Sequence, residues 1–125
     1  MDLDRHHVLI VEDEILIGMD LADIVRDAGA EVVGPALSIG QALRLIDTQC
    51  ITVAILDVQL GKANSDEVAF RLEISNIPFI FHTGARDKKL WPTHWPHAPL
   101  LSKPATPVEI IAALAKAGKL PAQSF

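Results

Sequence analysis

Five short apolar runs, rich in β-branched residues, recur along the chain and constrain its fold more than any other feature of the sequence. They lie at residues 8–11, 32–33, 53–56, 79–81 and 100–101. Continuous apolar runs of this length are typical of strands that are buried on both faces of a parallel sheet. The sequence therefore predicts a five-stranded parallel sheet.

Stretches with helical spacing separate these runs, so that strands and helices alternate. One lies at residues 17–28, a second follows a cap at Ser38, and a third lies at residues 65–73. A capping box from Thr106 to Glu109, with proline at the first helical position, opens the last helix. This alternation predicts an α/β fold in which helices cover both faces of a doubly wound sheet.

The segment between the fourth and fifth predicted strands departs from this pattern. It contains Pro92, Pro96 and Pro99. A proline inside a helix removes a hydrogen bond and clashes with the preceding turn. We therefore expect a shortened or irregular helix in this segment.

Length and composition agree with one domain, which we expect to span residues 1–125. The chain is 50% hydrophobic, and no apolar run reaches the ~18 residues that a membrane span needs. Its acidic start is unlike a signal peptide, and Cys50 is the only cysteine, which suits a reducing cytoplasm. The net charge of −5 argues against direct binding to nucleic acid or to an anionic membrane.

Polar side chains collect where the predicted strands end. Glu12 and Asp13 follow the first strand, Asp57 follows the third, Thr83 the fourth and Lys103 the fifth. The carboxyl ends of parallel strands lie at one edge of a sheet, so we expect these side chains to meet there. Neighbouring carboxylates repel each other unless a cation neutralises them, and Mg²⁺ prefers oxygen ligands. The sequence therefore predicts a magnesium site.

Asp57 stands alone at its strand end and is the predicted nucleophile. A carboxylate beside a metal ion can attack phosphorus and form an acyl phosphate. Phosphoryl transfer needs mainly positioning and charge stabilisation, to which one ammonium and one hydroxyl group contribute. Lys103 and Thr83 are the predicted sources of these two groups.

Together these residues resemble the receiver domain of bacterial two-component response regulators. The matching pieces are residues 8–14 (VLIVEDE), residues 55–58 (ILDV), Thr83, and Lys103 with Pro104. They occur in the family's order and span the whole chain. The resemblance implies a flavodoxin-like fold and a phospho-accepting module of a two-component signalling or phosphorelay system.

The resemblance implies a role for each residue that handles the phosphoryl group. Asp57 would accept it from a histidine kinase or a phosphotransfer protein, and Lys103 and Thr83 would bind its oxygens. A cis peptide bond between Lys103 and Pro104 is also implied, at the modest cost that proline allows.

The resemblance also implies a metal site with defined ligands. Mg²⁺ would be held by Asp13, Asp57 and the backbone carbonyl of Gln59, and Glu12 would act through water. The protein would catalyse phosphoryl transfer only to and from its own aspartate, so we do not expect an enzyme with a separate substrate.

Three positions depart from the usual receiver pattern, and they concern the conformational switch. Leu100 stands where an aromatic residue commonly changes rotamer, Gly61 where proline is common, and Ala105 where phenylalanine is frequent. The usual aromatic switch residue is therefore missing.

Both tryptophans of the chain, Trp91 and Trp95, lie in the proline-rich segment. If they are exposed, they would form a docking surface for a downstream protein; if they are buried, they would cover the sheet in place of a helix. The first alternative predicts that phosphorylation changes partner binding at residues 84–99. His82 also has two alternatives, tuning of the site or a structural role, and the structural role is commoner.

Two other functions compete with the phospho-accepting module. A receiver-like interaction protein would work without phosphorylation, but it would be free to lose Asp57, Asp13 or Lys103, and all three are present. A hydrolase of the haloacid dehalogenase type would need a second aspartate where this chain has Gln59. We therefore predict the phospho-accepting module and keep the interaction protein as the alternative.

Overall fold

A computed structural model describes residues 1–84 and 95–119 of the chain. The elements in chain order are β1 (His7–Val11), α1 (Ile15–Asp27), β2 (Glu31–Ala36), α2 (Ile39–Thr48), β3 (Val53–Leu56), β4 (Gln59–Leu60), β5 (Ala63–Asn64), α3 (Asp66–Ile74), β6 (Phe79–Thr83), β7 (Leu100–Ser102) and α4 (Pro107–Lys119). The shortened helix predicted between the fourth and fifth apolar runs falls mainly on residues 85–94, which lie outside the described residues.

The five apolar runs form one parallel sheet with the strand order β2-β1-β3-β6-β7. The chain moves outward in one direction from β1 to β2 and in the other from β3 to β7. The order therefore reverses between β1 and β3, and the carboxyl ends of these two strands border the crevice where such sheets bind ligands. The predicted doubly wound α/β fold is confirmed.

Helices cover both faces of the sheet and bury the strands between two apolar layers. Side chains of α2 and α3 pack with Ala54 and Leu56 on one face, and those of α1 and α4 pack with Val53 and Ile55 on the other. Successive residues of β3 thus point to opposite layers, as the period of a strand requires. This is why the strands read as continuous apolar runs.

Two helices begin at the caps that the sequence predicts. The Ser38 hydroxyl accepts a hydrogen bond from the Gln41 N–H at 3.2 Å before α2. Before α4, the Thr106 N–H donates to Glu109 Oε1 at 3.0 Å, and the Glu109 N–H donates to Thr106 Oγ1 at 3.1 Å. This reciprocal pair satisfies two N–H groups and orients the segment that follows β7.

Within residues 1–84 and 95–119, no helix combines the length and the apolar character that crossing a bilayer requires.

Candidate functional site

A polar cleft of about 290 Å³ lies at the carboxyl ends of β1, β3, β6 and β7. It is lined by Asp13, Glu14, Asp57, Gln59, Gly61, Thr83, Gly84 and Lys103. Glu12 lies beneath it and is only 1% exposed. The structure therefore brings together all six of the site residues predicted from the sequence, although they come from four different parts of the chain.

Lys103 bridges two carboxylates at the base of this cleft. Its Nζ donates to Glu12 Oε1 and to Asp57 Oδ2, at 2.8 Å in each case. The side chains of Lys103 and Asp57 are only 14% and 9% exposed, so water screens these contacts weakly. The ammonium group therefore holds one Asp57 oxygen in a defined position.

Three carboxylates crowd around this single bridge. Glu12, Asp13 and Asp57 each offer one oxygen, and these oxygens all lie within 4.8 Å of one another. Three carboxylates against one ammonium leave an excess of negative charge in a confined space, which a divalent cation would neutralise. Closely spaced carboxylate oxygens are also the ligand type that Mg²⁺ prefers, so the residues present fit this ion.

The electrostatics of the cluster alter the acidity of its buried members. Burial, together with the charge of Asp57, raises the pKa of Glu12 from 4.5 to about 7, although the hydrogen bond from Lys103 acts in the opposite direction. Burial lowers the pKa of Lys103, but its hydrogen bonds to Asp57 and Glu12 outweigh that effect and the pKa is raised overall. Lys103 is therefore fully charged at neutral pH.

Backbone hydrogen bonds link Thr83 and Lys103 across the last two strands of the sheet. The Lys103 N–H donates to the Thr83 carbonyl at 2.7 Å, and Thr83 pairs with Ser102 in the ladder between β6 and β7. Thr83 is buried at the cleft. The peptide bond between Lys103 and Pro104 is cis, as the resemblance implied.

Gly61 is a site residue that the sequence analysis did not assign. It lies between β4 and β5, which form a small antiparallel hairpin directly after Asp57. Its N–H donates to Asp13 Oδ2 at 2.8 Å, and its φ of +64° is in the left-handed region that favours glycine. Proline, common at this position in receivers, has no N–H and a fixed negative φ. Glycine in place of proline at this position thus supplies the N–H group that donates a hydrogen bond to Asp13.

The hairpin also contacts the predicted nucleophile. The Gln59 N–H donates to Asp57 Oδ1 at 3.2 Å. Lys103 Nζ donates to the other oxygen, Oδ2. Both oxygens of the Asp57 carboxylate therefore accept hydrogen bonds from residues that line the cleft.

Trp95 does not provide the exposed docking side chain that one interpretation of the sequence predicts. It is 9% exposed and meets the ring of Phe79 edge-to-face, with the ring centroids 6.3 Å apart. The other interpretation, a tryptophan that covers the sheet, is correct for this residue. Trp91 lies outside the described residues.

Known proteins are similar to this chain in both sequence and fold. Phyllosphere-induced regulator PhyR of Methylorubrum extorquens is 31% identical over 113 residues, which cover 88% of this chain and 42% of that protein. The solution structure of the PhyR response regulator REC domain of Erythrobacter litoralis matches with a TM-score of 0.79 and 28% identity, over 94% of this chain and 92% of that one. The chain is a response-regulator receiver domain.

A third comparison shows how much of a longer protein the receiver covers. A variant of PhyR from Bartonella quintana, described as an anti-anti-sigma factor, is 30% identical with a TM-score of 0.76, and the match covers 94% of the receiver and 51% of that chain. The receiver thus spans about half or less of these two PhyR proteins. No protein-family profile matches the receiver.

Proposed function

We propose that this receiver accepts a phosphoryl group on Asp57 as part of a cytoplasmic two-component pathway or phosphorelay, with residues 1–125 acting as one domain. The observation that carries the proposal is the bridge from Lys103 Nζ to Asp57 Oδ2 and Glu12 Oε1 within the three-carboxylate cluster. A structural ion pair would need one carboxylate for one ammonium. The excess of buried carboxylates suits a site that binds a cation and a phosphoryl group.

The transfer step follows from the groups around Asp57. One carboxylate oxygen forms a bond to phosphorus while the bond from phosphorus to the donor nitrogen of a phosphohistidine breaks, and that nitrogen leaves as neutral imidazole after taking a proton. The Lys103 ammonium and the Thr83 hydroxyl stabilise the charge on the equatorial oxygens. The Gln59 N–H keeps the other Asp57 oxygen in place, since it donates to Oδ1.

We propose that Mg²⁺ is held by Asp13, Asp57 and the backbone carbonyl of Gln59, with Glu12 acting through water. Bound there, the ion would neutralise the carboxylates and the incoming phosphoryl oxygens. Asp13 is already oriented for this role because the Gly61 N–H donates to its Oδ2 at 2.8 Å.

The proposed phosphodonor is a histidine kinase or a phosphotransfer protein that docks on the start of α1. Ile15, Leu16 and Met19 are 59%, 80% and 57% exposed there, although they are large apolar side chains. They follow Glu14, which lines the cleft, so a protein bound to them would also reach Asp57. A downstream protein is the second proposed partner, and the anti-anti-sigma activity ascribed to one PhyR supports output through protein contacts.

Labelling with a small-molecule phosphodonor tests the proposal. The wild-type protein should gain one phosphoryl group in Mg²⁺, lose this ability in EDTA, and lose it in Asp57→Asn. The matched control is Asp27→Asn, an exposed aspartate at the end of α1, which should be labelled like the wild type. Equal labelling of Asp57→Asn would contradict the proposal, and failure of the wild type to be labelled would favour an interaction protein that works without phosphorylation.

A further inference from the structure

Two large apolar side chains of α3 are exposed on the outward face of that helix. Phe70 and Ile74 are 59% and 61% exposed. They are four residues apart, so they are neighbours on one helical face. The opposite face attaches α3 to the core, where Val68, Ala69 and Leu72 are fully buried. The outward apolar face is therefore not needed to hold α3 in place.

A groove of about 610 Å³ lies beside this face, and we call it the α3 groove. Among the described residues it is lined by Asp66, Glu67, Phe70, Glu73, Trp95 and His97. Asp66 and Glu73 are about two turns apart, so the groove extends along the helix. Its other wall is the segment at residues 95–97. Exposed apolar surface with a polar rim is typical of protein interaction sites.

Aromatic packing holds the second wall of the α3 groove in place. The rings of Trp95 and His97 both meet Phe79 edge-to-face, with ring centroids 6.3 and 6.4 Å apart. His97 Nε2 also lies 3.3 Å from Glu73 Oε2 on α3, and this contact joins the two walls. A surface that is already ordered loses little conformational freedom when a partner binds. The α3 groove is therefore preorganised for binding.

The rim of the α3 groove is acidic. Asp66, Glu67 and Glu73 line it, and no lysine or arginine is among the described residues that do so. Glu73 has His97 as its partner. Asp66 and Glu67 have no ion-pair partner within residues 1–84 and 95–119. Two copies of the chain, each with a net charge of −5, would bring these carboxylates together, so the rim favours a basic partner.

The spacing of the exposed apolar side chains indicates the shape of that partner. Phe70 and Ile74 are one helical turn apart, and side chains at this spacing lie about 5–6 Å from each other. An amphipathic helix presents its own apolar residues at the same interval, and such helices bind in apolar grooves of other proteins. Lysine or arginine residues flanking its apolar face would then lie opposite Asp66 and Glu67.

We propose that the α3 groove binds a basic amphipathic helix of a partner protein. The apolar residues of that helix contact Phe70 and Ile74, and burial of the Phe70 ring supplies most of the affinity. Its basic residues face Asp66 and Glu67, where exposed charges set the choice of partner more than the affinity. The contact goes beyond the proposed function, because it needs no phosphoryl group on Asp57.

Titration with a synthetic peptide tests this inference. The probe consists of leucine and lysine with its leucines on one helical face, and a counterpart peptide carries glutamate in place of lysine. In amide NMR spectra of the unlabelled wild-type protein, the lysine peptide should shift signals of α3 and of residues 95–97. The glutamate peptide should not. No shifts with the lysine peptide, equal binding of both peptides, or shifts at the start of α1 without shifts at α3 would overturn the inference.

Substitution of the apolar anchor tests its share of the affinity. Phe70→Ala should raise the Kd of the lysine peptide about tenfold, because aromatic anchors dominate such contacts. The matched control is Leu16→Ala, which removes an exposed apolar side chain from α1 and should leave the Kd unchanged. Both side chains are exposed, so neither substitution should impair folding. An unchanged Kd in Phe70→Ala, or an equal rise in Leu16→Ala, would overturn the inference.

Neutralisation of one carboxylate tests the preference for a basic partner. Glu67→Gln should raise the Kd of the lysine peptide about twofold to threefold, as expected for an exposed charge pair. Asp27→Asn, which removes an exposed carboxylate at the end of α1, should not change it. Equal values of Kd in Glu67→Gln and the wild type would overturn the assignment of a basic partner.

Sedimentation of the protein alone tests a second copy as the occupant. We expect no association that depends on Phe70, and a dimer that Phe70→Ala dissociates would overturn the inference. Peptide binding and phosphoryl labelling are measured separately. Peptide binding without labelling of Asp57 would overturn the proposed function alone, and labelling of Asp57 without peptide binding would overturn this inference alone.

Discussion

Polar side chains are arranged in opposite ways at the two ends of the parallel strands, which we call the amino edge and the carboxyl edge of the sheet. At the amino edge, Thr52 Oγ1 lies 2.7 Å from His6 Nδ1 and accepts a hydrogen bond from the His7 N–H at 2.9 Å. At the carboxyl edge, the side chains of Glu12 and Asp57 are 1% and 9% exposed and share one ammonium. Hydroxyl and amide groups are thus satisfied locally at one edge, while like charges are crowded together at the other.

This difference indicates what each edge is for. Hydrogen bonds of this kind each make a modest net contribution to the stability of the fold. Buried carboxylates lose their hydration, and a fold gains little from such clusters compared with apolar packing. The carboxyl edge therefore keeps an arrangement that stability alone does not favour, which is expected where activity needs a charged site.

The largest effect on stability should follow from removing the ammonium at the carboxyl edge. Lys103→Ala leaves Glu12 and Asp57 buried without their bridge, and we expect the free energy of unfolding to fall by about 3 kcal/mol. Denaturant unfolding in EDTA measures this change. Lys62→Ala, an exposed lysine in the hairpin, is the matched control and should change stability little. Equal stability of the two variants would mean that the carboxylates tolerate each other without Lys103.

A second effect should appear in the dependence of stability on pH. The pKa of Glu12 is about 7 in the folded protein, above its ordinary 4.5, so the folded state holds a proton that the unfolded state has released between these values. Stability from this group is therefore complete below about pH 4.5 and is lost as the pH rises through 7. Unfolding measured in EDTA across this range should show the loss in the wild type and not in Glu12→Gln. Identical profiles would contradict the assignment.

The smallest effect should come from the amino edge. Thr52→Val removes the hydroxyl that contacts His6 and His7 but keeps the shape of the side chain. We expect the free energy of unfolding to fall by about 1–2 kcal/mol. The rate of phosphoryl labelling should stay unchanged, because Thr52 is at the opposite edge from Asp57. A labelling defect would show that the two edges are coupled, and the division between them would then be wrong.

The placement of Asp57, Thr83 and Lys103 could be predicted because topology alone determines it. Continuous apolar runs indicate parallel strands, and parallel strands bring the residues that follow them to one edge. The backbone caps at Ser38 and Thr106 could be predicted for a similar reason, since capping depends on a few neighbouring residues.

Other features depend on contacts that a sequence does not display. The donor role of Gly61 arises in a hairpin of two-residue strands, which are too short to leave a pattern. The burial of Trp95 depends on Phe79, which is distant in sequence. Leu3 is fully buried at the end of α1. Its N–H donates a hydrogen bond to the Ala28 carbonyl there. In each case the feature depends on a contact with a residue that is distant in sequence, and not on the local sequence.

Locating the phosphoryl group is the most direct test of the central claim, which is that the carboxyl edge exists to place it on Asp57. After labelling in Mg²⁺, reduction with borohydride converts a phosphorylated aspartate to homoserine, and peptide sequencing by mass spectrometry locates the converted residue. We expect homoserine at position 57 and no conversion in unlabelled protein. Conversion at another carboxylate, Asp13 included, or none in fully labelled protein, would contradict this claim.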